Sequence, residues 1–368
     1  MARNSKSQIL FSQIKQEITN GNFGYSGERF LTVRELAAKY NVSLVTSQKV
    51  IKLLSTSGII TLYGKTYFIT NGKILPKSHL QSRLHENQNN KLIGIHFPKY
   101  NNPFFSALLD EVSKSIYKQG FSPVVMCSNQ NVEQEKRILE SFIKIGVCGV
   151  ISCPNNNESE LLKNQYENYP LPLVFLAEQC SSKDIHFAGV DNNACAKHVA
   201  HHLIEMEYKN FIYIGAESDK TTDKRCDAFV KALSDNGYAV PKENIIYLSD
   251  NENFTIPYSV KQHIKSQEKP LGIFCFHDII AVAIIMLCEK IGLKIPEEVG
   301  VVGFDNLPIA KQCRPMLTSI AYRFDKMAES AVALLLQKIS NKSNTGLKPH
   351  DFVNHSLKIR DSSRKKPL

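Results

Sequence analysis

The chain has 368 residues, enough for two or three domains, and its 43% hydrophobic and 22% charged residues are ordinary for a globular protein. Its net charge of +10 is unevenly placed, because residues 1–91 hold 13 Lys and Arg against 4 Asp and Glu, a net of +9, while the remainder has a net of +1. No apolar run approaches the roughly 18 residues of a membrane span, so these quantities exclude an integral membrane protein and favour a small basic domain that meets a polyanion.

The N-terminus and the cysteines bear on location and on metals. The opening residues Met-Ala-Arg-Asn-Ser-Lys lead into mixed polar sequence and not into the apolar stretch of a secretion signal. We therefore expect a cytoplasmic protein with no membrane partner. The nine cysteines form no Cys-x-x-Cys pair, and none stands at zinc spacing from a His pair. We expect reduced, mostly buried thiols, no metal and no cofactor.

The first 71 residues, the head, are predicted to fold into three helices followed by a β-hairpin. The first helix is amphipathic, the second begins at a capping box formed by Thr32 and Glu35, and the third is capped by Ser43. This order of elements predicts a winged helix-turn-helix, whose third helix enters the major groove of DNA. The predicted helices span Ser7–Asn20, Thr32–Tyr40 and Leu44–Ser57, and the strands span Ile59–Leu62 and Tyr67–Ile69, with Gly64 and Lys65 in the turn.

Three short stretches of the head fit a known pattern of residues. They are Leu31, Thr32, Arg34, Leu36 and Ala37, then Val42, Ser43 and Thr46, and then Gly64 and Lys65. On these residues the head resembles the GntR-type regulators along essentially its whole length. The resemblance implies a winged helix-turn-helix that contacts double-stranded operator DNA through Arg34, Ser43, Thr46 and Gly64. The alternative for Arg34 is a surface arginine that only supports its helix.

Two positions of the head depart from the GntR pattern. Leu44 stands where that family usually has Arg, and Gln48 stands where another Arg is common. Leucine cannot bind a phosphate or a guanine, whereas glutamine can bind adenine. We therefore expect an operator that differs from the commonest one of the family. With a phosphate contact from the wing lysine, the predicted DNA-binding residues are Arg34, Ser43, Thr46, Gln48, Lys49, Gly64 and Lys65.

Residues 72–90 predict a flexible connector, because they are rich in Ser, Asn and Gln and lack a strong apolar period. From residue 91 to residue 368, the body, short apolar runs alternate with helical patterns in two successive series. Such alternation predicts parallel sheets covered by helices on both faces, and two series predict two α/β lobes. The predicted strands are Ile93–Phe97, Pro123–Cys127, Gly149–Ser152, Leu173–Leu176, Phe211–Ile214, Gly272–Phe276 and Val299–Phe304, and the helices are Phe104–Gln119, Glu133–Lys144, Ala194–Met206, Arg225–Asn236 and Asp278–Gly292.

Seven stretches of the body follow one another in a recognisable order. They are 102–105, 189–192, 225–229, 276–278, 301–306, 314–320 and 357–362. On these residues the body resembles the LacI-type effector domain, which has the fold of periplasmic sugar-binding proteins. The two resemblances together imply a two-lobed periplasmic-binding-protein-like α/β domain behind an N-terminal winged helix-turn-helix, as in regulators of the arabinose-repressor type.

The LacI resemblance also implies a ligand site. In that family, the residues at the positions of Arg225 and Asp305 clamp the effector. Arginine offers a rigid set of donors and aspartate accepts from two adjacent hydroxyls, which suits a polyol. The alternative for this pair is a structural salt bridge that closes the two lobes.

Four further residues complete the predicted ligand site. His277 replaces an Asn that often bonds the effector, with a histidine at the edge of the core as the alternative. Phe104 or Phe105 is expected to pack on a sugar ring, with plain core as the alternative. Phe254 matches an aromatic residue that the family places over the ligand. Ala177 stands where the family has a carboxylate, so the sugar is not identified by the resemblance.

Taken together, these patterns predict a transcriptional repressor that binds operator DNA as a homodimer and is released by a small sugar, most simply a monosaccharide. A regulator of the same architecture that responds to a non-sugar or phosphorylated metabolite is the alternative. An enzyme and a free sugar-binding receptor are the rival classes. We expect no enzyme, because the chain has no Gly-x-Ser-x-Gly elbow, no phosphate-binding Gly-rich loop and no His-Glu-x-x-His. A free receptor would not need the basic head.

Overall fold

The structure is a computed structural model that describes residues 6–24, 29–63, 66–70, 91–99, 102–154, 166–177, 185–217, 223–249, 255–340 and 349–364. The chain divides into two compact units, residues 1–89 and residues 90–368. The predicted connector, residues 72–90, lies outside the described residues, as do Gly64, Lys65 and Phe254. Within those ranges, no helix has both the length and the apolar composition that crossing a membrane requires.

The first unit consists of helices followed by an antiparallel strand pair. Its second helix begins at the predicted capping box: the Glu35 amide donates to the Thr32 hydroxyl (3.3 Å), and the Thr32 amide donates to the Glu35 carboxylate (2.7 Å). The Thr46 amide donates to Ser43 Oγ (3.2 Å), which caps the third helix as predicted. The elements are α1 (Lys6–Asn20), α2 (Val33–Tyr40), α3 (Leu44–Thr56), β1 (Ile60–Tyr63) and β2 (Thr66–Ile69).

Apolar residues from all of these elements share one core. Ile14 and Ile18 of α1 pack with Leu36 of α2 and with Val50 and Leu54 of α3, and all five are fully buried. In α1 and α3, the spacing of four residues places these side chains on one face, which turns toward the core and leaves the opposite face exposed.

The second unit contains two sheets with helices between successive strands. The first series, the N-terminal lobe, comprises β3 (Leu92–Phe97), α4 (Pro103–Lys118), β4 (Ser122–Cys127), α5 (Val132–Ile145), β5 (Gly149–Ser152), β6 (Leu173–Leu176) and β7 (His186–Gly189). The second series, the C-terminal lobe, comprises α6 (Asn192–Glu205), β8 (Asn210–Ala216), α7 (Lys224–Asp235), β9 (Ile245–Leu248), α8 (Tyr258–Ser266), β10 (Leu271–Cys275), α9 (Asp278–Lys290), β11 (Val299–Phe304), α10 (Ile309–Gln312) and β12 (Thr318–Tyr322). The remaining elements are α11 (Phe324–Ile339), β13 (His350–Phe352) and β14 (His355–Lys358).

Each sheet has six strands, and the two sheets are mostly parallel. The N-terminal lobe has the strand order β13-β7-β6-β5-β3-β4, and the C-terminal lobe has the order β14-β12-β11-β10-β8-β9. The pair β12–β14 is antiparallel, and the other neighbours in these sheets are parallel. Helices cover both faces, which is why the central strands are buried along their whole length.

The chain crosses between the lobes at three short segments. It leaves the N-terminal lobe through residues 190–191 and returns at Arg323, because α11 packs on α4, β5, β6 and β7. It crosses again through residues 353–354, between β13 in one sheet and β14 in the other. In such sheets, ligands bind outside the carboxyl ends of the strands. The ends of β11 and β12 are therefore where a ligand site is expected.

The predicted strands and helices of the body are present with ends that differ by at most two residues, apart from the closing strand. That strand was predicted over 357–362, but β14 covers His355–Lys358. The segment beyond it is held by Ser362, whose hydroxyl donates to the Val301 carbonyl (2.6 Å) and accepts from the Thr318 amide (2.8 Å). Two backbone bonds support it, from the Val301 amide to the Ser362 carbonyl (2.8 Å) and from the Ser362 amide to the Met316 carbonyl (2.9 Å). The prediction did not include β7, β9, α8, α10, β12, α11 and β13.

Candidate ligand-binding site and DNA-binding surface

Asp305 begins a tight loop at the carboxyl end of β11. Asp305 has a φ of 95° and Asn306 a φ of 51°, and both lie in the left-handed region that Asp and Asn tolerate better than other non-glycine residues. The Arg360 guanidinium donates to the Asn306 side-chain oxygen (2.6 Å), and the Asn306 amide donates to Ser319 Oγ (3.0 Å). The loop is therefore held by hydrogen bonds in a conformation that the backbone alone disfavours.

The carboxylate of Asp278 holds this loop in place. Its carboxylate accepts from the Leu307 amide (2.7 Å) through one oxygen and from the Ser319 hydroxyl (2.6 Å) through the other. Gly303 makes room for it, because a Cβ at Gly303 would overlap Asp278 Oδ1. Asp278 is fully buried, and burial raises the pKa of its carboxyl well above the usual value.

The Arg225 guanidinium lies between two aromatic rings. Its central carbon is 3.7 Å from the centroid of the Phe304 ring and 4.3 Å from that of Phe276. Its Nε donates to Asn192 Oδ1 (2.9 Å), and its Nη1 donates to the Phe276 carbonyl (2.5 Å). Asp223 caps α7 one residue before that helix begins, through a bond from the Cys226 amide (3.1 Å), and so sets the position of Arg225.

Asp305 follows Phe304 in the chain and is only 6% exposed. The Tyr322 hydroxyl donates to its Oδ1 (2.6 Å). Burial raises the pKa of the Asp305 carboxyl, while the charge of Arg225 and the bond from Tyr322 act in the opposite direction. The two residues of the predicted clamp thus interact electrostatically.

The alternative interpretation of Arg225 and Asp305, a salt bridge between the lobes, is wrong. A salt bridge between Arg225 and Asp305 would not close the two lobes, because both residues belong to the C-terminal lobe: Arg225 lies on α7 and Asp305 follows β11. Both residues also lie in the second of the two series that the sequence pattern predicted.

A chain of aromatic rings connects the N-terminal lobe to Asp305. The Phe104 ring, in the first turn of α4, is 5.7 Å from that of Phe324, which is 5.2 Å from that of Tyr322. Asn102 caps α4 by accepting from the Phe104 amide (2.8 Å). Phe105 turns instead toward Phe97 (5.7 Å). The predicted ligand residues Phe104 and Asp305 are therefore joined through two side chains, whereas Phe105 packs against the core of the N-terminal lobe.

His277 has a structural contact beside its predicted ligand role. It is the N-cap of α9, and its Nδ1 accepts from the Ile280 amide (3.3 Å). The residue is 9% exposed, and its ring lies 5.8 Å from that of Phe276. The helix thus fixes the orientation of the imidazole at the edge of the core.

The sequence reading missed several residues of this site. Asn192 and Asp278 lay within quoted motifs without a role, and Tyr322 and Ser319 lie on a strand that was not predicted. Tyr322 and Ser319 are brought to the site by the pairing of β12 with β11, and Asn192 and Asp278 by the packing of their helices, with Asn192 bonded to Arg225. No group of three or more His, Cys, Asp or Glu suited to a metal ion occurs among the residues that the structure describes.

In the head, the outward face of α3 and the start of α2 hold the described DNA-binding candidates. Arg34 is exposed at the second residue of α2. Gln48 and Lys49 are exposed on α3, and Thr46 is half-buried with its hydroxyl 2.9 Å from Ser43 Oγ. Gly64 and Lys65 lie outside the described residues. Sequence reasoning missed Arg29, which pairs with Glu35 at 2.8 Å and braces the start of α2.

Comparison with known proteins places the chain in a family. The periplasmic binding protein-like domain family matches residues 200–363. The HTH-type transcriptional repressor PurR of Aliivibrio fischeri strain MJ11 is 30% identical over 260 residues, which are 69% of this chain and 76% of that protein. The chain belongs to the LacI/PurR family of HTH-type transcriptional repressors. It is accordingly a regulator and not an enzyme, and it responds to a ligand.

Another relative matches more of the repressor's length, and solved structures match its fold. The HTH-type transcriptional regulator MalR of Clostridium butyricum is 25% identical over 337 residues, 90% of this chain and 99% of that protein. The structure of the transcription regulator CcpA of Lactococcus lactis matches with a TM-score of 0.65 at 19% identity, over 75% of this chain and all of that one. A periplasmic binding protein/LacI transcriptional regulator of Alkaliphilus metalliredigens matches with a TM-score of 0.62 at 24% identity, with the same coverage. None of these matches supports the GntR type of the head, which remains a prediction.

Proposed function

We propose that this repressor binds operator DNA as a homodimer in the cytoplasm and is released when a small sugar, most simply a monosaccharide, occupies the site around Arg225 and Asp305. The observation that supports a sugar as the ligand is that a hydrogen-bond donor and a hydrogen-bond acceptor both lie close to aromatic side chains. The Arg225 guanidinium lies over the Phe304 ring, and the Asp305 carboxylate accepts from Tyr322, whose ring is 6.0 Å from that of Phe304 at one end of the C-terminal sheet. Adjacent hydroxyls suit the carboxylate, and the apolar face of a sugar ring suits the aromatic side chains.

The wider fold offers an analogy for the ligand class. The Alkaliphilus metalliredigens structure is a complex with D-xylulofuranose, and a LacI family regulator from Lactobacillus casei was solved with bound glucose. At 24% and 19% identity these likenesses concern the fold. The sugar is therefore proposed from the side-chain chemistry around Asp305, and the other predicted contacts are Phe104, Phe105, His277 and Phe254.

We infer that the head is a winged helix-turn-helix of the GntR type. Two observations support this inference: a helix-turn-helix, α2 and α3, is followed directly by the antiparallel pair β1 and β2, and the capping box at Thr32 and the cap at Ser43 lie where the GntR resemblance requires them. In this arrangement α3 reads the major groove, while Arg34, Lys65 and the wing contact the backbone.

Tyr322 offers a route by which the ligand acts on the lobes. Its hydroxyl bonds Asp305, and its ring packs on Phe324 on the far side of the crossing at Arg323. A sugar whose hydroxyls donate to the Asp305 carboxylate would compete with the Tyr322 hydroxyl and so favour one arrangement of this crossing over another. Such differential affinity between two states is what release from DNA requires.

The test combines DNA binding with ligand binding on the full-length protein. A gel shift on DNA upstream of the repressor's own gene is run with and without each member of a sugar library, and each member is also tested for a shift of Tm. The proposal expects a retarded complex that at least one sugar dissociates. A complex that only phosphorylated or non-sugar metabolites dissociate would overturn the sugar assignment, and absence of sequence-specific DNA binding would overturn the proposal as a whole.

A further inference from the structure

The outward face of α3 opens with two aliphatic side chains. Leu44 is 51% exposed and Val45 is 60% exposed, and they are adjacent in the first turn of the helix. A single exposed leucine is unremarkable on a protein surface. Here the two cannot turn inward, because Ser47, Val50 and Ile51 occupy the buried side of the same turns. The apolar pair is therefore a fixed part of the exposed surface.

Polar and basic side chains continue this face along the helix. Gln48 lies one turn beyond Leu44, Lys49 lies one turn beyond Val45, and Lys52 follows, all of them exposed. No acidic residue occurs anywhere in α3. The face thus consists of two aliphatic groups, one amide and two ammonium groups, on a head that holds 9 Lys and Arg against 3 Asp and Glu, a net charge of +6.

We propose that Leu44 and Val45 read the methyl groups of thymines, and that Gln48 reads an adenine next to them. This inference rests on the proposed function, since it assumes that α3 enters the major groove of operator DNA. It deepens that function by naming the bases: the operator half-site carries A·T pairs where the first turn of α3 meets it.

The chemistry of the major groove supports this choice of base. The C5-methyl of thymine is the apolar group that base pairs present there, and aliphatic side chains contact it favourably. Guanine presents two acceptors, O6 and N7, to which leucine and valine can donate nothing. The side-chain amide of glutamine matches the donor and acceptor of adenine, N6 and N7. Read in order along the helix, the face therefore suits thymine first and adenine next.

The charge of the head argues for DNA and against protein as the occupant of this face. A second copy of the same basic head would bring like charges together around Leu44 and Val45. Phosphates on either side of the groove would instead pair with Lys49 and Lys52, which flank the apolar pair on the same face.

The experiment changes the DNA before it changes the protein. Full-length repressor first selects its preferred duplex from a pool with a randomised core. The selected duplex is then remade with uracil in place of each thymine of the half-site in turn, which removes a methyl group and leaves the hydrogen bonds of the pair intact. We expect the Kd to rise about fourfold for each methyl group that the protein contacts. A selected sequence that binds equally well with uracil at every position would overturn this inference alone, whereas failure to select any sequence would overturn the proposed function as well.

Protein variants then assign the methyl contacts to residues. Leu44→Ala together with Val45→Ala should bring the ratio of the uracil to the thymine Kd close to one. The matched control is Ile9→Ala, which shortens an aliphatic side chain of α1 that is 58% exposed and should leave the ratio unchanged. Because all three residues are exposed, the variants should keep the wild-type Tm. If the double variant retained the wild-type ratio, or changed only the oligomeric state in sedimentation, the assignment to Leu44 and Val45 would be wrong.

Discussion

The head and the body carry their charges in opposite ways. The head has a net charge of +6, and Ser47 is the buried polar side chain among its described residues, with every described charged group exposed or half-buried. The body has a net charge near zero, yet it buries the carboxylates of Glu135, Asp223, Asp278 and Asp305. Burying a carboxylate costs free energy unless hydrogen bonds or a partner offset the cost. Exposed charge acts over a distance on a polyanion, whereas buried charge acts by contact on a small molecule.

The largest expected effect comes from removing Arg225, the cation of the buried site. Arg225→Ala should weaken effector binding by about 2–5 kcal/mol, a factor of roughly thirty or more, because it takes away a desolvated, hydrogen-bonded charge. The measurement is the shift of Tm produced by the sugar that the library screen identifies. Arg314→Ala is the control, since Arg314 is an exposed arginine that bonds the carbonyls of Lys311 and Cys313. A normal ligand shift in Arg225→Ala would contradict the predicted contact.

The next effect concerns the buried carboxylate that anchors the Asp305 loop. Asp278→Ala leaves the Leu307 amide and the Ser319 hydroxyl without their acceptor and should lower the free energy of unfolding by about 1–3 kcal/mol. Effector affinity should fall as well, because the loop loses its anchor. Chemical denaturation measures the first effect and calorimetric titration the second. Asp361→Ala, at an exposed acceptor of the same lobe, should change stability by less than about 0.5 kcal/mol. Equal stability of the two variants would show that Asp278 does not hold the loop.

The head should respond to ionic strength where the body does not. Arg34→Ala should weaken operator binding several-fold at low salt and reduce the slope of log K against log salt by about one, because one phosphate contact is lost. Sugar binding should be unchanged. Titrations at a series of salt concentrations provide both numbers. The control is Lys15→Ala, which removes an exposed cation of α1. An unaltered salt slope in Arg34→Ala would show that Arg34 only supports its own helix.

The smallest expected effect concerns the ionisation of the buried Asp305 carboxyl. Burial raises the pKa of Asp305 above its usual value of 3.8, so the ionised form is disfavoured in the folded state. This costs stability as pH rises from 3.8 through the raised pKa, and the loss is complete above it. Asp305→Asn should therefore raise the Tm at pH 7 by on the order of 2 °C, with the gain vanishing at acid pH, while effector binding weakens. Melting curves across pH check the sign, and a wild-type protein that is the more stable one at pH 7 would contradict it.

The sequence by itself determined the local features of both regions. The capping box at Thr32, the cap at Ser43 and the amphipathic period of α1 depend on residues three or four apart, and the structure has each of them. The alternation of apolar runs with helical patterns likewise predicted the two sheets. Through its resemblance to the LacI type, the stretch 301–306 made Asp305 a candidate ligand residue before its surroundings were known.

Only the tertiary structure decided which distant residues meet. It brought Tyr322 to Asp305 and placed the Asp278 carboxylate against the Leu307 amide of the same loop. It also showed that Leu44 faces outward, which its apolar character would not suggest. The physical reason is that helix caps and periodicity arise from short-range bonds along the chain. Strand order and the three crossings between lobes arise instead from packing over a hundred or more residues, which no local pattern records.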